Sequence, residues 1–158
     1  MIILGIDPGL SGAFAFLDTL DFTVSIEDMP TVEVLRNGKR KNEVNPAQVA
    51  NLIAGRGVKM CWMERVNAMP GQGVTSVFSF GRSTGILEGV LAAYDIQTTI
   101  VTPQAWQKAT AVRDGKDAGR LRAAQLFPHS SHMFARKKDN GRSDAALIAW
   151  FGSQSYKG

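Results

Sequence analysis

The chain opens with a continuous apolar run, MIILGID (1–7), whose length and composition predict a strand buried on both faces. After a turn containing Pro8, Gly9 and Gly12, GAFAFLD (12–18) reads as a second strand, antiparallel to the first. FTVSIED (22–28) alternates, with Phe22, Val24 and Ile26 on one side and Thr23, Ser25 and Glu27 on the other. That is a half-buried strand, and it completes a three-strand meander. Residues 30–44, which include RNGKRKN, are polar and basic and read as an exposed connection.

Beyond this point the period changes. NPAQVANLIAG offers Asn45 as an N-cap, Pro46 at the first helical position and Gly55 as a terminator. VKMCWME is a further buried strand ending at Glu64, followed by a loop, NAMPGQG. Residues 75–93 form a long helix in spite of Gly81, Gly85 and Gly89, which recur every fourth residue as one smooth ridge. Glycine costs about 1 kcal/mol in a helix interior, so a close contact should compensate, either against the protein's own sheet or across a twofold dimer. IQTTIVT is the fifth strand of the reading, and PQAWQKA a short helix opened by Pro103. DAGRLRAAQLF is a helix stopped by Pro128, and SDAALIAWF a last helix with Ser143 as its N-cap. A meander followed by alternating strands and helices predicts an α/β domain, with a mixed sheet of five strands and helices on its faces.

At 158 residues the chain is long enough for one domain (1–158) with a real core. It has no apolar run of membrane-spanning length and no signal-peptide pattern at its start, and Cys61 stands alone in an apolar run, a packed small hydrophobe. A reducing cytoplasm fits. The net charge of +4 conceals an imbalance. Residues 1–107 hold eight Lys and Arg against ten Asp and Glu, whereas residues 108–158 hold ten against four. A basic last third favours a polyanion, although charge runs also serve simply as solvated faces.

Three acids stand out by position. Asp7 ends the first strand, Glu64 ends the fourth, and Asp144 lies in the first turn of the last helix. Taken singly, Asp7 also suits a turn, Glu64 with Arg65 a surface pair, and Asp144 a helix dipole. Taken together, strands that finish at one sheet edge present their last side chains to a shared crevice. Carboxylates gathered there repel one another unless a cation intervenes, and all-oxygen ligation suits Mg²⁺ or Mn²⁺. Neither His129 nor His132 has the company that a zinc site requires.

The opening GIDPG, the ERV that follows a buried strand and the terminal SDAALIA resemble the RuvC family of Holliday junction resolvases, within the RNase H-like superfamily. FGRSTGILEGVLAAY resembles the family's central helix, and VTPQAWQKA with GKDAGRLRAAQLFP its basic segment. The resemblance spans nearly the whole chain in order. It implies an RNase H-like mixed five-stranded sheet, a three-strand meander plus two parallel strands, with helices on both faces. It also implies a homodimeric two-metal nuclease that nicks four-way DNA junctions symmetrically, with Mg²⁺ or Mn²⁺ as cofactor.

In that reading Asp7 bridges two ions, Glu64 holds one and Asp144 the other. The family usually carries a fourth acid or a histidine three residues before the last acid. Here that position is Gly141, and Asp139 is the nearest substitute ligand, the alternative being a loop acid that offsets Lys137 and Lys138. Lys108 and Lys116 match basic positions near the scissile phosphate, where they would stabilise developing charge. Arg65, Arg120, Arg122, Arg136, Lys137, Lys138 and Arg142 would be phosphate-positioning contacts. In the loop after Glu64, Asn67 stands where relatives place an apolar wedge, which leaves Met69 as the substitute.

Three other readings remain open: a nuclease for other branched DNA, one for RNA–DNA hybrids, and a module that binds junctions without cutting them. A two-domain phosphotransferase needs more chain than this. The compact length and the altered last motif point towards a phage or prophage source, and a helicase partner is neither required nor excluded.

Overall fold

The computed structural model describes residues 1–67 and 70–156, so Met69 lies outside the described residues. Its main sheet has five strands: β1 (Ile2–Asp7), β2 (Ala13–Asp18), β3 (Val24–Asp28), β6 (Val58–Glu64) and β7 (Gln97–Val101). They lie in the order β3-β2-β1-β6-β7. β3, β2 and β1 form the antiparallel meander, while β6 and β7 run parallel to β1. This is the predicted mixed sheet. The fully buried Ile3, Leu4 and Ile6 place β1 at its centre, as its unbroken apolar run requires.

Alternation along the strands divides the core in two. Leu4, Ile6, Cys61 and Met63 face α1 (Pro46–Ile53) and α2 (Val74–Ala93). Ile3 and Trp62 face the other side, with α3 (Pro103–Ala109), α4 (Ala118–Leu126) and α5 (Asn140–Ser155). Helices therefore cover both faces. Cys61 is buried in the first of these layers, and burial pushes its thiol far above the ordinary range. Among the described residues no helix is long and apolar enough to cross a membrane.

α5 is the most intimate of the helices. A Cβ on Gly5 would collide with the Ala145 carbonyl oxygen and would lie 2.9 Å from Ala149 Cα. β1 therefore needs glycine at this point for the α5 backbone to lie directly on it. A Cβ on Gly152 would strike the Trp62 ring in the same way, 2.6 Å from Cδ2.

Three local expectations need correction. Residues 30–44 are not an open connection: β4 (Thr31–Arg36) and β5 (Lys39–Val44) form a separate antiparallel hairpin. Its tip is Asn37-Gly38, at φ 51° and 72°, the positive-φ pair that a two-residue hairpin turn demands. α5 begins at Asn140, so Ser143 is its fourth residue and no cap, its hydroxyl donating to the Asn140 carbonyl at 2.7 Å. The ridge of Gly81, Gly85 and Gly89 does not pack on the sheet, since an added Cβ at any of them meets open space.

Gly5→Ala is expected to destabilise the protein by about 1–3 kcal/mol, the usual cost of forcing an extra carbon into a filled interior. Urea unfolding measures this, and an unchanged midpoint would refute the contact between α5 and β1.

Candidate active site

The register of the sheet brings two of the three acids together. Ile6 of β1 pairs with Met63 of β6, so the next residues, Asp7 and Glu64, end adjacent parallel strands side by side. Both carry the parity of Ile3 and Trp62 and so point to the α5 side of the sheet. α5 crosses β1 at Gly5 through Ala145, which leaves Asp144, one residue earlier, over the strand ends.

Each carboxylate has its own local support. The Gly9 N–H donates to Asp7 Oδ1 at 3.1 Å, closing the turn after β1. That turn is tight, because a Cβ on Gly12 would lie 2.8 Å from the Asp7 carbonyl carbon. The Trp106 indole N–H donates to Glu64 Oε2 at 2.7 Å and fixes that side chain. Trp106 is buried on α3, whose start is capped by the Thr102 hydroxyl. Gly119 on α4 admits Asp144, since an added Cβ there would stand 3.3 Å from Asp144 Oδ1. Trp106 and Gly119 were not singled out from sequence, and no local pattern marks either as a neighbour of an acid.

The electrostatics are those of an uncompensated site. Burial raises the Asp7 carboxyl above its ordinary range, and the Gly9 N–H pulls it back only in part. Burial also raises Glu64; the Trp106 N–H opposes this, and the Asp7 charge adds to it. Asp144 is pushed up to about 7, first by burial and then by the charges of Asp7 and Glu64. Among the described residues none of the three forms an ion pair.

Nor, among the described residues, is any set of three His, Cys, Asp or Glu side chains gathered tightly enough to hold one ion between them. The three carboxylates therefore lie near enough for the charges of Asp7 and Glu64 to act on Asp144, without forming a closed cage. Hard oxygen donors that lack a protein cation fit Mg²⁺ or Mn²⁺, which retain water and phosphate oxygens in their remaining positions.

Asp139 is buried and turned elsewhere. It accepts from Arg136 Nη2 at 2.8 Å and from the Arg136 backbone N–H at 2.9 Å, with Arg142 Nη1 at 3.6 Å. The Arg136 guanidinium holds its carboxyl below the usual range, and none of the three acids acts on it. Gly141 cannot carry a ligand at all, because a Cβ there would lie 2.7 Å from Gly12 Cα. The tight turn after β1 thus occupies the space that a fourth side chain would need.

The basic residues divide into two groups. Arg120 bonds the Phe134 and Ala135 carbonyls at 3.3 and 3.0 Å and pairs with Asp117. Arg122 donates to the Thr110 carbonyl at 2.7 Å, and Arg142 grips both Asp28 oxygens at 2.6 Å. These three guanidinium groups, with that of Arg136, brace the fold. Arg65, Lys108, Lys116, Lys137 and Lys138 are exposed, and among the described residues they have no ion-pair partner. Lys116 lines a cavity with Arg113 and Arg122 just before α4, and Lys138 lines another beside Leu10 and Ser11.

The fold is shared with solved Holliday junction resolvases. Thermus thermophilus RuvC in complex with a Holliday junction substrate matches with a TM-score of 0.65 and 13% identity, over 94% of this chain and 90% of that one. The yeast mitochondrial resolvase Ydc2 matches at 0.57 and 19%, over 97% of this chain and 78% of that one. The fowlpox virus resolvase matches at 0.54 and 14%, over 98% and 99%. No family model and no curated protein sequence matches the chain.

Asp144 sets a pH dependence in the metal-free protein. Its ordinary pKa of 3.8 is raised to about 7 in the fold, so the folded state holds the proton longer than the unfolded state. Stability therefore falls as pH rises from about 4 to about 7 and stays low above that. Asp144→Asn removes the charge and should raise the melting temperature at pH 8 by roughly 2–4 °C for each kcal/mol relieved. The gain should shrink towards pH 5, and a lowered melting temperature at pH 8 would refute the crowding of these acids.

Proposed function

We propose that this chain is a divalent-metal-dependent endonuclease that resolves four-way DNA junctions by paired nicks, acting as a homodimer. The observation that carries the reading is the set of half-buried carboxylates from β1, β6 and α5, which repel one another and, among the described residues, have no protein cation paired with them. That arrangement costs stability, and a site that binds cations and phosphate accounts for it. The shared fold with junction resolvases and the exposed lysines of the last third support the substrate.

Asp7, Glu64 and Asp144 would hold the metal, and divalent ions bound there would activate water and offset the charge of the scissile phosphate. The chain's own part is orientation and electrostatics. Asp7 is fixed at the sheet edge by the Gly9 N–H, and Glu64 by the Trp106 indole. Asp144 is delivered by the seat of α5 on Gly5. Lys116 and Lys108, both exposed, supply positive charge to the phosphoryl oxygens. Arg65, Lys137 and Lys138 position the backbone without reading sequence. Asp139 and the arginines that it binds keep the start of α5 in place.

The exposed face of α2 supports a dimer. Val74 and Phe78, 87% and 70% exposed, continue the line of Gly81, Gly85 and Gly89 along its solvent side. A twofold axis through this stripe would bury apolar area and bring two helix backbones close. It would also supply two catalytic sites for one symmetric junction.

Two measurements test the reading. A synthetic immobile junction with Mg²⁺ or Mn²⁺ should be cut at symmetric positions while a matched linear duplex survives. Asp7→Asn, Glu64→Gln and Asp144→Asn should each lower the rate by about 100-fold or more, as losses of groups that stabilise transition-state charge do. Asp139→Asn should still cut, at a lowered melting temperature. A wild-type protein that binds the junction yet never cuts it would favour the non-cleaving module. Separately, sedimentation should show a dimer that Phe78→Asp converts to a monomer. A monomer at every wild-type concentration, with and without junction, would exclude the twofold arrangement.

A further inference from the structure

The β4–β5 hairpin plays no part in the catalytic account. It stands outside the main sheet, is anchored at its base by Val44 in the core and along β5 by α2, and leaves Leu35 73% exposed. Two strands alone are marginally stable in water, so a hairpin whose far end lies exposed on a protein surface invites a partner.

Strand pairing defines the face that it turns to α2. Val32 lies opposite Glu43, Val34 opposite Lys41, and Arg36 opposite Lys39. Arg82 of α2 donates to Glu43 Oε2 at 2.8 Å, and Arg36 grips the same carboxylate from the hairpin side. Between hairpin and helix lies a cavity of about 320 Å³ lined by Arg36, Lys39, Lys41 and Arg82, with Glu43 as its one acid and Phe78, at the border of the exposed stripe of α2, on its rim. Two arginines already share Glu43. Lys39 and Lys41 are exposed and, among the described residues, have no ion-pair partner.

A second cavity, about 350 Å³, shares Asn42, Glu43, Ser79 and Arg82 with the first. It continues to Pro8, Gly9 and Leu10, the residues that follow Asp7, and is walled by Phe80 and Ile86. The two form one groove that starts beside a catalytic strand end, apolar at first, and becomes cationic towards the hairpin tip. Apolar and aromatic surface followed by unpaired lysines suits bases that lie on side chains while phosphates meet charge, as in single-strand binding sites. Cavities of this size accommodate small ligands such as single nucleotides.

We propose that this groove seats unpaired DNA nucleotides next to the cleaved phosphate, with bases against Leu10 and Phe80 and phosphates against Lys39, Lys41 and Arg82. The inference rests on the DNA-cleaving reading above and extends it to the nucleotides that flank the cut. The hairpin is then a cationic arm that takes the strand as it leaves the active site.

The test is fluorescence anisotropy in EDTA with a labelled ten-residue oligothymidine and a linear duplex of the same length. Lys39→Glu/Lys41→Glu changes two exposed, unpaired side chains. It should weaken oligothymidine binding at least 10-fold and reduce the salt slope by about 1.4, the share of two single-strand phosphates. Phe80→Ala should weaken it about 5-fold or more, the loss of one stacked base, with the slope unchanged. Duplex affinity should change much less in both variants. Unaltered oligothymidine affinity in both would overturn the groove, and an equal loss on duplex would overturn its single-strand assignment. Oligothymidine binding that shows the expected losses, in a wild-type protein that cuts no DNA with metal, would overturn the nuclease reading alone.

Discussion

The seat of α5 on β1 is the contact on which the site depends. Gly5 removes the side chain that would hold the two backbones apart, and Ala145 and Ala149 complete the approach. A helix pressed this closely to the middle of a sheet has a fixed start, which places Asp144 over the ends of β1 and β6. The parallel pairing of those strands then puts Asp7 and Glu64 beside it. Each of the three carboxyls is raised by burial, and Glu64 and Asp144 are raised further by their acidic neighbours.

The same packing explains why the site has three acids. The turn after β1 closes on itself at Gly12 and against the first turn of α5 at Gly141, where any side chain would meet backbone. A fourth donor at that place would need the turn to open, and the turn is what holds Asp7 in position. Asp139, next to the same helix start, is committed to Arg136 and Arg142. The buried face of α5 is made of small and apolar residues and its start is fastened by ion pairs, which leaves Asp144 as the one acid that the helix adds to the group.

Much of this could be read from the chain. Long apolar runs identified β1, β2 and β6, and the ends of two of them identified Asp7 and Glu64, because a charged residue that closes a buried strand has to surface at a sheet edge. The hairpin escaped because its strands are mostly polar, so periodicity gave no sign of burial. Asn37-Gly38 and the alternation of Val32 and Val34 about Glu33 were the local cues, and they lacked apolar alternation on the β5 side to be persuasive. Trp106 escaped for a different reason: its bond to Glu64 spans 42 positions, a relation that only folding creates. The basic residues were identified by type but not by use. Sequence does not distinguish Arg142, spent on Asp28, from Lys138, which faces solvent.

The central claim is that Asp7, Glu64 and Asp144 exist to share divalent cations, and calorimetric titration of the metal-free protein with Mn²⁺ at pH 7 examines it most directly. The account predicts saturable binding that strengthens in the presence of junction DNA and releases protons, since Asp144 titrates near this pH. It also predicts that Asp7→Asn abolishes the signal. Absence of Mn²⁺ binding to the wild-type protein, with and without DNA, would contradict it.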